Sequence, residues 1–360
     1  MAKHDLIESV TRAMTRRRFL AVGGAAALGL ATGPAWARML AEETGPMIKR
    51  YRTLGRTGVE VSDISMGCGS IADSDVVRYA YDHGVNLFDT AESYGNGDSE
   101  RKIGEAMKHM ERDTIFIVTK LDLAGDPDRQ NLVGRFNESL ERLQSPSADA
   151  LYAHGIADVE LVEYEPFLKA CAQLKQEGKL RHAWISSHGP RGDEPGAKDT
   201  VLIKAAESGH YDVMLLSYGF LNAEEGERVL RACKEKNIGT TIMKSATGLM
   251  EMPVYDPENP SEQVREWFES LEGQGRTHEE AEERIKRYLE REHDNFQDSV
   301  TRSKPFIEKY GIKTQDELDL KSFQWVLGNP DAHTICPSMP NFDALDRILP
   351  LSGTRLEAEG

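Results

Sequence analysis

Cysteine is scarce and scattered, four in 360 residues, with no CxxC pair and no Cys/His cluster. Structural zinc and iron–sulfur centres need such spacings, so neither organises this chain. The ten histidines supply no substitute, because His278-Glu279-Glu280 lacks the second histidine of a metalloprotease helix and reads as the start of a capped helix. No metal is expected. Positive charge is also short, at 44 Lys and Arg against 60 Asp and Glu, a net −16. That balance argues against an electrostatic grip on nucleic acid or anionic lipid, while leaving single loops free to hold an anionic cofactor. Long apolar runs are missing, since Ala21 to Thr32 is well below the roughly 20 residues that span a bilayer. Missing too is a GxGxxG opening the first helix after a strand, for which Gly67-Cys68-Gly69-Ser70 is a weak substitute. A doubly wound sheet is therefore the second choice of fold.

What is present is enough for a full core: 39% of residues are hydrophobic and 29% charged, which suits one large domain or two small ones. At the N-terminus, Thr15-Arg16-Arg17-Arg18-Phe19-Leu20, the mild apolar run and Ala35-Trp36-Ala37 resemble a twin-arginine export signal with its cleavage site. Residues 1–37 are read as that signal, 38–49 as a linker, 50–350 as the folded body and 351–360 as a tail. A short membrane anchor is the weaker alternative. The signal implies the twin-arginine export machinery as a partner, the periplasm as destination and no stable membrane span after cleavage.

Tyr51 to Ser62 holds two extended pieces around Gly55 and Gly58 and reads as a hairpin. Eight short apolar runs follow: Ile64-Gly67, Val85-Phe88, Ile115-Thr119, Ala148-Tyr152, Leu180-Ile185, Val213-Leu216, Thr240-Met243 and Thr334-Ile335. Helical patterns separate them. Strand and helix alternating with short links give parallel strands, and eight such units predict a closed α/β (β/α)8 TIM barrel. The stretch 251–313 is too long for an ordinary link and forms a charged helical insertion after strand seven. Within it, Thr277 to Glu280 suits a capping box, with Ala281, Ile285, Tyr288 and Leu289 at helical spacing. Its dull reading is a solvated addition on the barrel side; its sharper one is a lid or a protein-partner surface over the functional rim.

Asp89 and Tyr94 in NLFDTAESYG, Lys120 closing IFIVTK and His154 closing DALYAHG lie at or just beyond the ends of strands two, three and four. Active sites of such barrels gather at that rim. Taken singly, each has a bland reading: a cap, a turn, a solvated strand end, a satisfied histidine. Together they make a chemistry, because a phenol is a poor acid near neutral pH until a cation stabilises its phenolate. Lys120 supplies the cation, Asp89 its compensating charge, and His154 a hydrogen bond that orients a carbonyl.

The residues FDTAESYG with Glu100 and Gly104, then IVTK, SLERL, DALYAHG, GKLRHAWISSH and QWVLGNPDAHTICPS, together with the opening RTLGRTGVEVS, resemble the aldo-keto reductase family in order and spacing. The likeness runs from about Arg50 to Leu349. It implies hydride transfer between a nicotinamide cofactor and a carbonyl or alcohol, with Tyr94 as general acid, Lys120 and Asp89 tuning it and His154 orienting a small-molecule carbonyl substrate. Cofactor contacts carried over from the family fall on Gly67, Cys68, Ser186, Ser187, Leu215, Met243, Lys244, Ser338 and Asn341. Several depart from the family pattern: Ser187 stands for an asparagine, Leu215 for a frequent glutamine, Met243 for a stacking tyrosine. After Cys336-Pro337-Ser338, Asp346-Arg347-Ile348 replaces the usual glutamate and asparagine, and the basic residues that hold a 2′-phosphate are not evident. NADP is the cofactor expected on family grounds, with NAD the alternative. A second reading is an exported cofactor-binding barrel with a sensing or partner-binding role. A third, a phosphate-handling lyase, has only Ser245-Ala246-Thr247-Gly248 as a phosphate loop. Placement alone also puts Cys68 and Cys336 on neighbouring strands one and eight, where either a disulfide or two buried thiols would fit.

Overall fold

The computed structural model describes residues 46–189, 199–273 and 276–356. The expected export signal, most of the linker and the end of the tail lie outside the described residues. So does nearly all of the 189–198 loop.

The described chain opens with an antiparallel hairpin of β1 (Tyr51–Thr53) and β2 (Glu60–Ser62). Eight parallel strands follow: β3 (Met66–Gly67), β4 (Leu87–Asp89), β5 (Phe116–Asp122), β6 (Ala148–His154), β7 (Leu180–Ser187), β8 (Val213–Ser217), β9 (Gly239–Met243) and β10 (Thr334–Ile335). They lie side by side in sequence order. Closure comes from parallel bridges Ile64 to Ile335 and Gly67 to Ser338, with Ser65 N donating to Ile335 O at 2.8 Å and Gly67 N to Pro337 O at 2.9 Å. The strands approach so tightly there that a Cβ on Gly67 would sit 2.8 Å from the Pro337 oxygen. This is the expected (β/α)8 barrel.

Helices α1 (Ser74–Asp82), α2 (Asp98–Met107), α3 (Arg129–Arg142), α4 (Glu165–Gln176), α5 (Thr200–Ser208) and α6 (Ala223–Glu235) join successive strands. Local signals start several of them: the Asp73 carboxylate accepts from Asp75 N before α1, and Asp128 from Asn131 N before α3. Period-two alternation builds two cores from one sheet. Leu87, Phe116, Val118, Tyr152, Trp184 and Val213 fill the barrel, while Phe88, Ile117, Leu151 and Ile185 pack outward against the helices.

The hairpin plugs the base. Leu54 is fully buried in the inner cluster, and Gly55, at φ +51°, lies so close to β9 that a Cβ would fall 2.3 Å from Gly239 N. Ser352 and Gly353 also belong to this base: buried Ser352 accepts from Lys49 N and Arg50 N and donates to Asp63, whose other oxygen accepts from Gly353 N.

The insertion is helical, as its pattern predicts, with α7 (Glu262–Gly273), α8 (His278–Arg291) and α9 (His293–Lys309) before α10 (Gln315–Leu327) and α11 (Phe342–Ile348). The Thr277 capping box forms in full. Val264, Phe268, Ala281 and Ile285 make a small core of its own. Helix α9 docks on the rim: Phe306 stacks on Phe220 at 4.1 Å, Ser299 Oγ donates to Thr247 O at 2.9 Å and Ser303 Oγ accepts from Leu249 N at 3.2 Å.

The disulfide reading is corrected here. The closing register sets Cys336 beside Ser65, three positions from Cys68, which is about 10 Å along a strand and beyond disulfide reach. Their side chains also enter different cores, Cys68 the outer and Cys336 the inner, and both thiols are free.

Candidate active site

The inward parity of each strand carries the polar residues up to the rim. On β5 the sequence Phe116, Val118, Lys120 faces inward, and register places Lys120 beside Tyr152 and Asp122 beside His154. Asp89 ends β4 next to Val118. Tyr94 follows in a tight turn whose Gly95, Asn96 and Gly97 all take positive φ.

Lys120 is the hub. Its ammonium, fully buried, donates to Asp89 Oδ1, to Thr90 O at 2.8 Å and to Tyr94 Oη at 3.4 Å, and lies 4.7 Å from the centre of the Tyr94 ring. The His154 ring meets Tyr94 edge-on with centroids 5.9 Å apart. The four expected residues therefore share one place.

Burial disfavours the Lys120 charge, but Asp89 and then Tyr94 outweigh it and hold the ammonium above its ordinary value. Burial pushes the Asp89 carboxyl up while Lys120 pulls it down. For Tyr94, burial raises the phenol and Lys120 opposes that rise, so the hydroxyl is protonated near neutral pH and has a cation waiting for its anion. Burial, aided by Lys120, lowers His154 to about 4 against the weaker pull of Asp122. The imidazole is neutral at pH 7.

That depression has a stability consequence. Between pH 6.5 and 4 the unfolded chain takes up a proton at His154 that the folded chain refuses. Stability is thus unaffected above the unfolded value and falls as pH drops through the window, by roughly 3 kcal/mol once both states are protonated. Urea titrations of wild type and His154→Gln across this range should converge as pH falls; parallel profiles would refute the assignment.

Support for the tetrad comes from residues without an assigned role in the sequence reading. Buried Glu100 accepts from Thr119 Oγ1 and from Arg142 Nε, both at 2.5 Å, tying α2 and α3 to the strand that carries Lys120. Thr90 Oγ1 meets Ser99 Oγ at 2.7 Å, and Ser99 donates to Cys68 O at 2.6 Å. Glu100 stands in the FDTAESYG-E pattern and Arg142 in SLERL, so both were visible; that they meet was not.

The residues expected to contact a cofactor divide. Leu215 and Met243 line the inner cluster, offering an apolar face, and Lys244 follows at φ +54°. Ser186 Oγ accepts from Gly155 N at 2.8 Å, and Ser187 Oγ donates to Ile156 O at 2.6 Å, so both hydroxyls fasten the loop behind His154. Ser338 Oγ lies 3.1 Å from Ser70 Oγ on a cleft wall. Asn341 caps α11 by accepting from Ala344 N, and Gly67 serves the closing seam. The Cys68 thiol is turned into the outer core and is not brought to the site. Six buried side-chain polar atoms lack a hydrogen-bond partner among the described residues, two of them near this rim: Asp89 Oδ2 and Ser245 Oγ. The apolar face of Leu215 and Met243, with the Ser70 and Ser338 hydroxyls on the cleft wall, fits a nicotinamide dinucleotide.

Two clefts open on this rim. One of about 980 Å³ is walled by the loops after β3, β4 and β10 and contains Tyr94. The other, about 610 Å³, lies between the ends of β7 to β9 and the insertion, with Ser187 and Lys244 in its wall.

The model of the Aldo/keto reductase family matches residues 72–354. L-galactose dehydrogenase from Arabidopsis thaliana is 33% identical over 155 residues, 38% of this chain and 47% of that protein. The chain spans about half the length of the curated relatives it matches. Among solved structures, an aldo-keto reductase from Bacillus halodurans in its holo form superposes with a TM-score of 0.60 at 20% identity, over 86% of this chain and 92% of that one. An aldo-keto reductase from Klebsiella pneumoniae in complex with NADPH gives 0.56 at 18% identity, over 87% and 93%. At these identities the structural likeness speaks for the barrel.

Proposed function

The chain belongs to the aldo/keto reductase family, which marks it as an NAD(P)H-dependent oxidoreductase, and on that premise we propose that it reduces an aldehyde or ketone to an alcohol with Tyr94 as the acid and NADP as the preferred cofactor. A nicotinamide cofactor, when bound, supplies the hydride. The rest falls to this chain's own groups. Neutral His154 donates a hydrogen bond that points the carbonyl oxygen at Tyr94 Oη. As negative charge gathers on that oxygen, Tyr94 gives up its proton, and the phenolate left behind is stabilised by Lys120 in a site sheltered from water. Asp89 fixes the ammonium and offsets the cost of burying it. Leu215 and Met243 would floor the ring, with Ser338 toward the other end of the cofactor.

The observation that carries this reading is the triple contact of Lys120 with Asp89, Thr90 O and Tyr94. It is tested by nicotinamide fluorescence titration with NADPH and NADH, then by carbonyl-dependent oxidation of each. Tighter binding of NADPH with turnover is expected. Failure to bind either would sink the enzyme reading.

A further inference from the structure

Two carboxylates flank Tyr94 in the chain, Glu92 two positions before it and Glu100 six after, and helix α3 meets each with an arginine. Arg135 takes both Glu92 oxygens, Nε to Oε2 at 3.0 Å and Nη2 to Oε1, and Nη2 also donates to Asp122 O at 2.9 Å. Arg142 takes Glu100 through Nε at 2.5 Å. The two arginines are seven residues apart, about two turns, so one face of α3 carries both.

Both carboxylates also grip β5 on either side of Lys120. Glu100 accepts from Thr119 Oγ1, while Glu92 accepts from Asp122 N at 3.3 Å and its own N–H donates to Lys120 O at 3.3 Å. Between these anchors lies the turn of Gly95, Asn96 and Gly97, and Gly97 rests on Arg142 so closely that a Cβ there would clash with its Cδ. Three successive positive-φ residues are not a run the chain adopts unaided. A frame outside the turn therefore holds Tyr94 Oη at 3.4 Å from the Lys120 ammonium. A solvated ion pair would contribute little to such a frame. The Arg135–Glu92 pair differs, because it is bidentate, its side chains are only 23% and 15% exposed, and the bond to Asp122 O fixes the guanidinium plane.

Resting on the reading of Tyr94 as the acid, we infer that Arg135 is a positioning residue for proton transfer: through Glu92, and with Arg142 acting through Glu100, it sets the spacing of Tyr94 Oη and the Lys120 ammonium. Its bond to Asp122, which pairs with His154 in register, extends the same frame to the residue that orients the carbonyl. Chemical steps respond steeply to such spacing, since about 1 Å of misplacement can cost ~10²-fold in rate.

Full-length wild type, Arg135→Met, Arg135→Lys and Glu92→Gln are compared with two activated carbonyls, 4-nitrobenzaldehyde and methylglyoxal, each variant also being made in the Tyr94→Phe background. Single-turnover rates keep that slow background measurable. Arg135→Met should lower kcat by roughly tenfold to a hundredfold, while KM and the NADPH affinity read by fluorescence change by less than about twofold. Arg135→Lys should recover part of the loss, because it keeps the charge without the paired donors. Glu92→Gln keeps the shape of the partner and should reproduce a smaller part of it, and it carries the test where Arg135→Met does not fold. In Tyr94→Phe the same changes should cost almost nothing, since no acid is left to place. A pair that serves stability alone would lower the rate equally in both backgrounds, in step with the folded fraction read by circular dichroism. Equal losses in both backgrounds, or a kcat within about twofold of wild type, overturn the inference. Wild type that binds neither NADPH nor NADH, or full turnover by Tyr94→Phe, overturns instead the reading on which it rests.

Discussion

Tyr94→Phe loses ~10²- to 10⁴-fold of carbonyl turnover, the range for a positioned general acid, and keeps its affinity for the nicotinamide cofactor. The substitution removes one hydroxyl and leaves the ring where it packs, edge-on to His154 with the Lys120 ammonium 4.7 Å from its centre. Stability should change little, because the hydroxyl's partner Lys120 keeps Asp89 and Thr90 O. The loss therefore appears in kcat, since the proton is transferred only as the transition state forms. Since burial lifts the phenol above its ordinary 10, the wild-type rate should hold through neutral pH and decline only where Tyr94 ionises. Steady-state kinetics beside fluorescence titration decide the matter, and turnover equal to wild type would refute the acid.

Lys120→Met should be the most destabilising single change in the site, by roughly 3–5 kcal/mol, because it leaves the buried Asp89 carboxylate without its cation. Met has the length of the lysine stem and fills the same space, so the effect isolates the lost charge. Adding Asp89→Leu removes the stranded carboxylate and should restore much of the stability, as buried ion pairs often exchange for apolar pairs at little net cost. Both variants should be inactive. A stable but inactive double variant would mean the pair is retained for its chemistry. Urea unfolding of the three proteins measures this, and a Lys120→Met variant within 1 kcal/mol of wild type would show that no buried charge had been stranded.

The legibility of the site follows from strand geometry. Alternate residues of a strand share a face, so Phe116, Val118 and Lys120 announce by spacing alone that Lys120 shares the face of two core residues. The same rule places His154 with Ala150 and Tyr152. Parallel strand ends share one rim, and the direct pairing of β4, β5 and β6 joined Asp89, Lys120 and His154 from three separated segments. The family resemblance sharpened their roles. The cofactor contacts were less legible because a serine in a motif does not state its partner: Ser186 and Ser187 spend their hydroxyls on the loop behind His154.

Cys68 and Cys336 mark the other limit. Adjacent strands were read correctly from order, but the stagger between them comes from how the whole sheet tilts to close, and no local pattern records it. Three positions of stagger separate two thiols that order alone had placed together. The seat of the insertion was invisible for a related reason. Its helices are legible by period, but the contacts that fix α9 on the rim, Phe306 on Phe220 and Ser299 on Thr247 O, join segments remote in the chain.

By itself, then, the sequence determined what repeats locally: eight strand-helix units, the inward face of each strand, the caps that start the helices and the four polar residues at the rim. Those follow from periods of two and 3.6 and from backbone groups that must be satisfied nearby. The tertiary structure decided the register of closure, the cooperation of Glu100 with Arg142 and the docking of the insertion on the rim. Each depends on packing between segments remote in the chain, and packing of that kind leaves no spacing in the sequence to read.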